Sequence, residues 1–209
     1  VLKKELSDYA LLGIWEINES EEELLNSLNL TKEEKAFFKT IKNPLRRKQW
    51  LSYRILINNF IGNKYNGIVY NKHKQPVLKN LPFFISVSHT RNYSAAIINK
   101  KYSVGIDLQV IDSKIINIES KFLSGYEMSL LPKGEKRILA LHILWGAKET
   151  IYKLKGEKEI AFAENIIIKS IKINGKGTLE CVFKKNMIVE NYRLQYETFK
   201  NMLLIYSIC

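Results

Sequence analysis

The segment LWGAKETIYK, residues 144–153, has the composition of one end of a long amphipathic helix. At about 3.6 residues per turn, Trp145, Glu149 and Lys153 follow one another at intervals of four and share one face. An aromatic ring, a carboxylate and an ammonium therefore form one stripe. A surface Glu–Lys pair at this spacing contributes only about 0.2–0.5 kcal/mol, so the stripe by itself is equally typical of a solvated helix face.

A second stretch, VGIDLQ at residues 104–109, reads as an apolar strand that carries one acidic side chain close to a glycine. Two acids that come from separate elements can converge on a single hard cation, because Mg²⁺ and Ca²⁺ take oxygen ligands. Asp107 and Glu149 are therefore candidates for one cation site.

The size and charge of the chain set broad limits on what it does. With 209 residues it fits one domain or two small lobes. Its 33 basic and 21 acidic residues give a net charge of +12, which favours a polyanionic partner. Nucleic acid, an anionic membrane, a phosphate-rich cofactor and an acidic protein all meet that description, and charge alone does not distinguish them.

The cysteines and the hydropathy pattern indicate a cytoplasmic protein. Cys181 and Cys209 are far apart and form neither a metal-ligand spacing nor a disulfide framework, which is typical of free thiols in a reducing compartment. We find no signal peptide pattern and no run of about 18 apolar residues.

Periodicity predicts two successive arrangements of a helix followed by strands. Thr31 and Glu34 form a capping-box pattern, and Pro44 and Gly62 delimit a helix at 44–61. The predicted strands of this half are 9–17, 83–90 and a hairpin formed by 93–98 and 102–110.

The second half is predicted to contain a helix at 135–155 that stops at Gly156, preceded by short helices near 115–122 and 127–131. Four strands follow, at 165–173, 177–183, 192–198 and 202–208. We therefore expect an α+β fold with two similar α/β halves, 1–101 and 102–209, each a helix packed on an antiparallel sheet. No residue-level repeat is apparent in the sequence.

The ordered motifs resemble a known family. VGID at 104–107, WGAKE at 145–149, then Lys153 and Gly156 are similar to the signature of the 4′-phosphopantetheinyl transferases, in the larger monomeric type named for the surfactin-synthetase activator. Further matches are Ser88-His89, Phe122-Leu123-Ser124 with Glu127, Arg47 with Arg54, and Pro76. The motifs span about residues 45–156, and the remaining chain matches only in kind.

This resemblance implies a pseudo-twofold fold with the active site at the interface of the halves. It implies transfer of the 4′-phosphopantetheine group from coenzyme A to a serine of an acyl or peptidyl carrier protein, releasing adenosine 3′,5′-bisphosphate. Mg²⁺ is the implied cofactor, and the carrier protein is acidic. A cytoplasmic monomer without a nucleic-acid or membrane partner is expected.

The resemblance also implies roles for individual residues. Asp107 and Glu149 coordinate the metal, and Glu149 acts in addition as general base, directly or through a water. Lys148 and Lys153 neutralise phosphate charge as it moves to the leaving group. His89 contacts the phosphates, and Asp107 and Lys148 face the cofactor.

The remaining cofactor contacts are expected in the first half. Ser88 offers a donor beside His89, and Arg47 and Arg54 are suited to bidentate phosphate contacts, at least one of them at the 3′-phosphate. The family's Gly-Lys-Pro is Lys74-Gln75-Pro76 here, so the phosphate-binding lysine is displaced by one residue and Lys74 is the candidate.

The third metal position departs from the family, which usually has glutamate two residues after the aspartate. Gln109 stands there and offers an amide oxygen without charge. We expect it to contribute to a metal site of lower affinity, or a water to fill in.

Two alternatives stay open. One is a catalytically impaired coenzyme A- or carrier-binding protein of the same fold, which Gln109 and Gln75 permit. The other is a basic nucleic-acid-binding protein, although no recognised binding motif appears and the lysines are dispersed. His142 is interpreted as a packing or surface residue of its helix, and Trp145 as a core residue.

Overall fold

A long helix packs against a sheet in each half of the chain, in a computed structural model that describes residues 2–157 and 159–209. The fold is α+β with two antiparallel sheets. The chain divides into a first unit that ends at Val104 and a second unit that begins at Gly105.

The first unit contains a six-stranded sheet in the order β1-β2-β6-β5-β4-β3, with every neighbouring pair antiparallel. A 3₁₀ turn at Gly62–Lys64 follows the third helix. The elements are β1 (Leu2–Ser7), β2 (Ala10–Glu16), α1 (Glu21–Asn26), α2 (Lys32–Phe38), α3 (Pro44–Ile61), β3 (Ile68–Tyr70), β4 (Pro76–Leu78), β5 (Phe84–Thr90) and β6 (Tyr93–Asn99).

The second unit contains a five-stranded sheet in the order β7-β11-β10-β9-β8. A 3₁₀ segment at Ser113–Ile118 leads into its first helix. The elements are β7 (Val104–Val110), α4 (Glu119–Phe122), α5 (Gly125–Ser129), α6 (Lys136–Lys155), α7 (Phe162–Asn165), β8 (Ile166–Ile168), β9 (Lys176–Lys185), β10 (Ile188–Phe199) and β11 (Met202–Ile208).

The two units repeat one topology. A first strand, a long helix and four further strands occur as β2, α3 and β3–β6, and again as β7, α6 and β8–β11. The strand order is the same in both sheets once the additional β1 is set aside. The helix-then-strands pattern expected from the sequence is thus confirmed, but β7 opens the second repeat instead of closing the first.

A buried ion pair ties the long helix of the first unit to its sheet. Thr31 and Glu34 form the capping box of α2, as predicted. Oε1 of Glu34 accepts from Arg54 Nε of α3 at 2.9 Å and from the backbone N–H of Ile68 in β3 at 3.0 Å. One carboxylate therefore caps α2, neutralises a buried cation on α3 and accepts a hydrogen bond from a backbone N–H of β3.

The second unit builds the same arrangement from different residues. Ser124 and Glu127 form the capping box of α5. Glu127 accepts from Lys148 Nζ of α6 at 2.7 Å and from the backbone N–H of Ile168 in β8 at 2.9 Å. The sequence shows no residue-level repeat between the two halves. In the structure, however, each half has a helix-capping glutamate that pairs with a cation of its long helix and with a strand N–H.

A glycine in the first strand of each repeat allows the long helix to approach. A Cβ atom on Gly13 of β2 would lie 3.0 Å from Leu56 and 2.9 Å from Phe60, both of α3. The equivalent contacts of Gly105 in β7 are with Thr150 and Leu154 of α6. Each pair lies one helical turn apart.

Each unit also has a hydrophobic core of its own. The core of the first unit is built around Trp50 and Tyr53 of α3, and that of the second around Phe122 and Phe183, all of them almost completely buried. Among the described residues, no helix combines the length and apolar character needed to cross a bilayer.

The predicted hairpin of 93–98 with 102–110 is wrong. Strand β6 is flanked by β2 and β5, so both of its edges are filled and β7 has no place beside it. Asn99 Oδ1 accepts from the backbone N–H groups of Lys101 and Tyr102, and this Asx-type turn ends β6. The segment predicted as a helix at 115–122 is a 3₁₀ segment up to Ile118 and an α-helix from Glu119 to Phe122.

Candidate functional site

The candidate site lies where β7 crosses α6, and two glycines permit the crossing. A Cβ atom on Gly105 would lie 2.4 Å from the carbonyl oxygen of Thr150, and one on Gly146 would lie 2.3 Å from Nε2 of Gln109. Real Cβ atoms do not approach so closely, so strand and helix are nearer than any side chain at these positions would allow. This contact brings the acidic residue of β7 against α6.

Asp107 is the centre of this contact and is only 6% exposed. Its Oδ1 accepts from Lys153 Nζ at 2.8 Å, and its Oδ2 accepts from Gln109 Nε2 at 3.0 Å. Lys153 also donates to the carbonyl oxygen of Ile106 at 3.1 Å. The carboxylate is thus held by a cation on one oxygen and by a neutral amide on the other.

Glu149, one turn before Lys153 on α6, lies within electrostatic reach of both charges. Burial raises the pKa of its carboxyl, the Asp107 carboxylate raises it further, and the Lys153 ammonium lowers it. A carboxylate whose pKa is raised is a stronger base than an ordinary one, which suits proton transfer.

The donor set fits a magnesium ion. Mg²⁺ usually binds one or two carboxylates and fills its remaining positions with water and substrate phosphates, and Asp107 and Glu149 are two such acids from two rigid elements. Within residues 2–157 and 159–209, no group of three or more His, Cys, Asp and Glu side chains is arranged as a metal site. The pair matches the number of protein carboxylates that Mg²⁺ usually takes.

Gln109 presents its amide nitrogen, not its oxygen, to Asp107. Its Nε2 also donates to the carbonyl oxygen of His142 at 3.2 Å, and its Oε1 lies 2.5 Å from Nδ1 of the same histidine. His142 is buried, which lowers the pKa of its imidazole. The predicted metal contact of Gln109 would use the oxygen that faces this ring.

Lys148 lies on another face of α6 and is fully buried. Its ammonium donates to Glu127 Oε2 at 2.7 Å and to the carbonyl oxygens of Phe162 and Ile166 at 2.9 and 2.5 Å. Burial lowers the pKa of the ammonium, and Glu127 opposes that shift. All three N–H donors are used within the core of the second unit, which is the geometry of a structural residue.

Arg54 of the first unit occupies the equivalent position on α3 and is 1% exposed. Besides Glu34, its guanidinium donates to Tyr53 Oη at 2.7 Å and to the carbonyl oxygen of Ile68 at 3.4 Å. It also lies 3.4 Å from the ring centroid of Trp50. The structure does not bring Arg54 to the same surface as Arg47, although the two are seven residues apart on one helix.

The other basic candidates of the first unit are accessible. Arg47 is about one-third exposed at 32%, pairs with Glu21 and lies 4.6 Å from the ring of Phe38. Lys74 is exposed in the turn between β3 and β4 with a positive φ of 62°. Both side chains are therefore accessible to an anion in solution.

Ser88 and His89 lie near the end of β5. Ser88 is buried and paired with Ala95 of β6, and His89 is half-buried and paired with Ser94. Successive residues of a strand point to opposite faces of the sheet, so these two side chains do not share a face.

Sequence reasoning missed His142 and Gly146 as parts of the site. From the sequence, His142 is interpreted as a packing or surface residue. It lies seven residues before Glu149 on α6, which is close to two full turns, so the two residues lie on nearly the same face of the helix. That spacing was the available signal. Gly146 lies between them, and its meaning depends on how closely β7 approaches, which no local pattern reveals.

The chain is similar in sequence to a curated protein. No family model matches the chain. A curated protein of Synechocystis sp. (strain ATCC 27184 / PCC 6803 / Kazusa), named provisionally as a 4′-phosphopantetheinyl transferase, is 25% identical over 142 residues. The match covers 61% of this chain and 57% of that relative, so the chain corresponds to little more than half of the relative's length.

Proposed function

We propose that this protein transfers the 4′-phosphopantetheine group of coenzyme A to a serine hydroxyl of an acyl or peptidyl carrier protein. The observation that carries the proposal is the contact of Asp107 with Lys153 where β7 crosses α6, with Glu149 within electrostatic range of both charges. These residues belong to the motifs that resemble the transferase family, and the similar Synechocystis protein bears that name.

The proposed reaction exchanges one P–O bond for another. The serine oxygen attacks the phosphorus that carries the pantetheine arm, and the bond from that phosphorus to the bridging oxygen of the diphosphate breaks. Adenosine 3′,5′-bisphosphate leaves with the bond electrons. Glu149 receives the serine proton, directly or through a water.

Asp107 and Glu149 would hold Mg²⁺, which when bound neutralises the charge of the diphosphate. Lys153 lies next to Asp107 and is 26% exposed, so its ammonium is suited to stabilise the negative charge that develops on the phosphate oxygens. We assign Lys148 to the packing of the second unit, because all its donors are used there.

In the first unit, we assign coenzyme A phosphate contacts to Arg47, Lys74 and His89. We do not assign the Ser88 side chain to them, because it is buried on the opposite face of β5 from His89. Arg47 and Lys74 carry accessible cations. We assign Arg54 to the buried pair with Glu34 instead. A net charge of +12 suits an acidic carrier protein and a phosphorylated cofactor.

The test is incubation of the protein with coenzyme A, Mg²⁺ and an apo carrier protein, followed by mass spectrometry of the carrier. A mass gain of one phosphopantetheine arm is expected. Asp107→Ala should reduce the gain to background, because it removes one of two charged ligands. Glu180→Gln, which removes an exposed acid of the second unit, is the matched control and should transfer normally.

Other outcomes identify the alternatives. Coenzyme A or carrier binding without transfer would indicate an impaired protein of the same fold. Salt-sensitive binding of DNA or RNA, without affinity for coenzyme A, would indicate a nucleic-acid-binding protein. Normal transfer by Asp107→Ala would reject the assignment of that residue.

A further inference from the structure

We infer that Gln109 is a positioning residue for Asp107, with its amide fixed by His142, and that a divalent cation is bound by Asp107 and Glu149 without Gln109. The inference rests on the proposed function, since it concerns the cation that the reaction would use. It revises the expectation that Gln109 supplies a third metal ligand.

The hydrogen bonds of the Gln109 side chain determine which end of the amide faces Asp107. Its Nε2 lies 3.0 Å from Asp107 Oδ2 and 3.2 Å from the carbonyl oxygen of His142. Both partners are acceptors, so both amide hydrogens are used. Turning the amide over would place its oxygen against a carboxylate and a carbonyl, which repel it.

The His142 ring reinforces this orientation from the other side. Its Nδ1 lies 2.5 Å from Gln109 Oε1, an acceptor, so Nδ1 carries the hydrogen. On the other side of the ring, Nε2 lies 2.9 Å from the backbone N–H of Asp112 and 2.9 Å from its carbonyl oxygen, so the Asp112 backbone contacts this nitrogen whether or not it carries a hydrogen. The hydrogen on Nδ1 commits Oε1 of Gln109 to the histidine.

Packing against α6 restricts the Gln109 side chain further. Its Nε2 lies so near Gly146 that a Cβ atom there would be 2.3 Å away, and Asp107 Oδ2 would be 3.3 Å from the same atom. The amide therefore fills the space above the helix backbone at Gly146. It gives Asp107 a neutral hydrogen bond at a position where glutamate would add a second negative charge.

The test measures cation affinity directly, by calorimetry and by the electron paramagnetic resonance of Mn²⁺ in the presence of coenzyme A. His142→Leu should weaken Mn²⁺ binding about 10-fold, the usual size for loss of a group that orients a metal ligand. His142→Asn places an amide N–H where Nδ1–H was and should restore affinity to within about threefold, on the same scale. Ile143→Val, in the neighbouring core, is the matched control and should bind like the wild type.

A ligand role for Gln109 predicts the opposite result. Release of the amide from His142 would then leave Mn²⁺ affinity equal or tighter, and that outcome in His142→Leu would overturn the inference. Nuclear magnetic resonance at fixed pH adds an independent readout. The Nδ1–H tautomer of His142 should persist when Mg²⁺ is added, whereas its loss would show that Oε1 has moved to the metal.

The inference and the proposed function fail separately. Mn²⁺ binding with no transfer to any carrier counts against the function, while the effects of His142→Leu and His142→Asn on affinity still support the positioning role. Normal transfer combined with equal Mn²⁺ affinity in all variants counts against the inference alone. No Mn²⁺ binding by the wild type would overturn both.

Discussion

The pKa of Glu149 is raised by burial and by the Asp107 carboxylate. Replacing this residue should lower the rate of transfer without lowering the stability of the fold. Glu149→Gln keeps the shape of the side chain but removes the base, so transfer should fall by about 10²–10⁴-fold. Folding should not suffer, because burial and Asp107 already disfavour the ionised form. The measurement is the rate of carrier modification beside a thermal unfolding curve, and near-normal transfer would exclude Glu149 as the base.

The same residue makes a prediction about pH. The folded pKa of Glu149 is raised, so its contribution to stability is present below the unfolded pKa and is lost as the pH rises through the folded pKa. In metal-free protein, Glu149→Gln should therefore gain Tm over the wild type at pH 7 and gain little at pH 4. An equal difference at both values would contradict the shift, and Glu180→Gln controls for net charge.

At the scale of elements, the crossing of β7 and α6 depends on a side chain being absent. Gly105→Ala places a methyl group against the Thr150 carbonyl, so strand and helix must separate, at a cost of about 1–3 kcal/mol. Gly125→Ala is the matched control, since a Cβ atom there meets nothing within 4 Å. Urea unfolding of both variants measures the difference, and equal stabilities would show that the crossing is not tight.

The buried pair of Glu127 with Lys148 should matter more to folding than any exposed pair. Lys148→Met leaves a buried carboxylate without its cation, which costs about 3–5 kcal/mol. Adding Glu127→Gln removes that charge and should recover part of the loss. Denaturant unfolding of the single and double variants forms the cycle. A stable Lys148→Met protein that has lost only coenzyme A affinity would return Lys148 to the phosphate site.

These elements show how far the sequence predicts the structure. Local signals were sufficient for α3 and α6, because Pro44, Gly62 and Gly156 mark helix ends wherever the helix packs. The same signals could not show that Lys148 and Arg54 are buried, since helical spacing gives a direction but not what lies there. Their glutamate partners are about twenty residues earlier in the chain, on other helices.

The candidate site follows the same rule. The spacing of Glu149 and Lys153 and the strand position of Asp107 could be read locally. In the structure Lys153 donates to Asp107, and both charges act on the pKa of Glu149. What required the structure was the orientation of Gln109, because it depends on His142 from another element and on the absence of a side chain at Gly146.

In the molecule as a whole, the two copies of one topology differ at the positions of Asp107 and Glu149. Matching Gly13 with Gly105 places Trp15 where the second unit has Asp107. Matching Arg54 with Lys148 places Ile55 at the position where the second unit has Glu149. Trp15 and Ile55 are buried apolar residues, so the first unit completes its core where the second unit carries two acids. The repeat therefore confines the candidate cation site to the second unit.

The two cysteines allow the packing of the second unit to be measured in the intact chain. Cys181 is completely buried in that core, and burial raises the pKa of its thiol to about 12, while Cys209 is exposed. At pH 8 a thiol reagent should therefore modify Cys209 in the folded protein and leave Cys181 almost untouched, because little thiolate forms and no reagent reaches it. Mass spectrometry after timed labelling counts the modified thiols.

Cys209→Ser then makes Cys181 a sole reporter of opening. When opening is fast and reversible, labelling follows the population of open molecules. Lys148→Met in that background should therefore accelerate labelling by about 10²-fold or more, as expected for a loss of several kcal/mol. Ile143→Val, a smaller change in the same core, should accelerate it far less. Rapid labelling of Cys181 in the parent protein would contradict the close packing around Lys148 and Glu127.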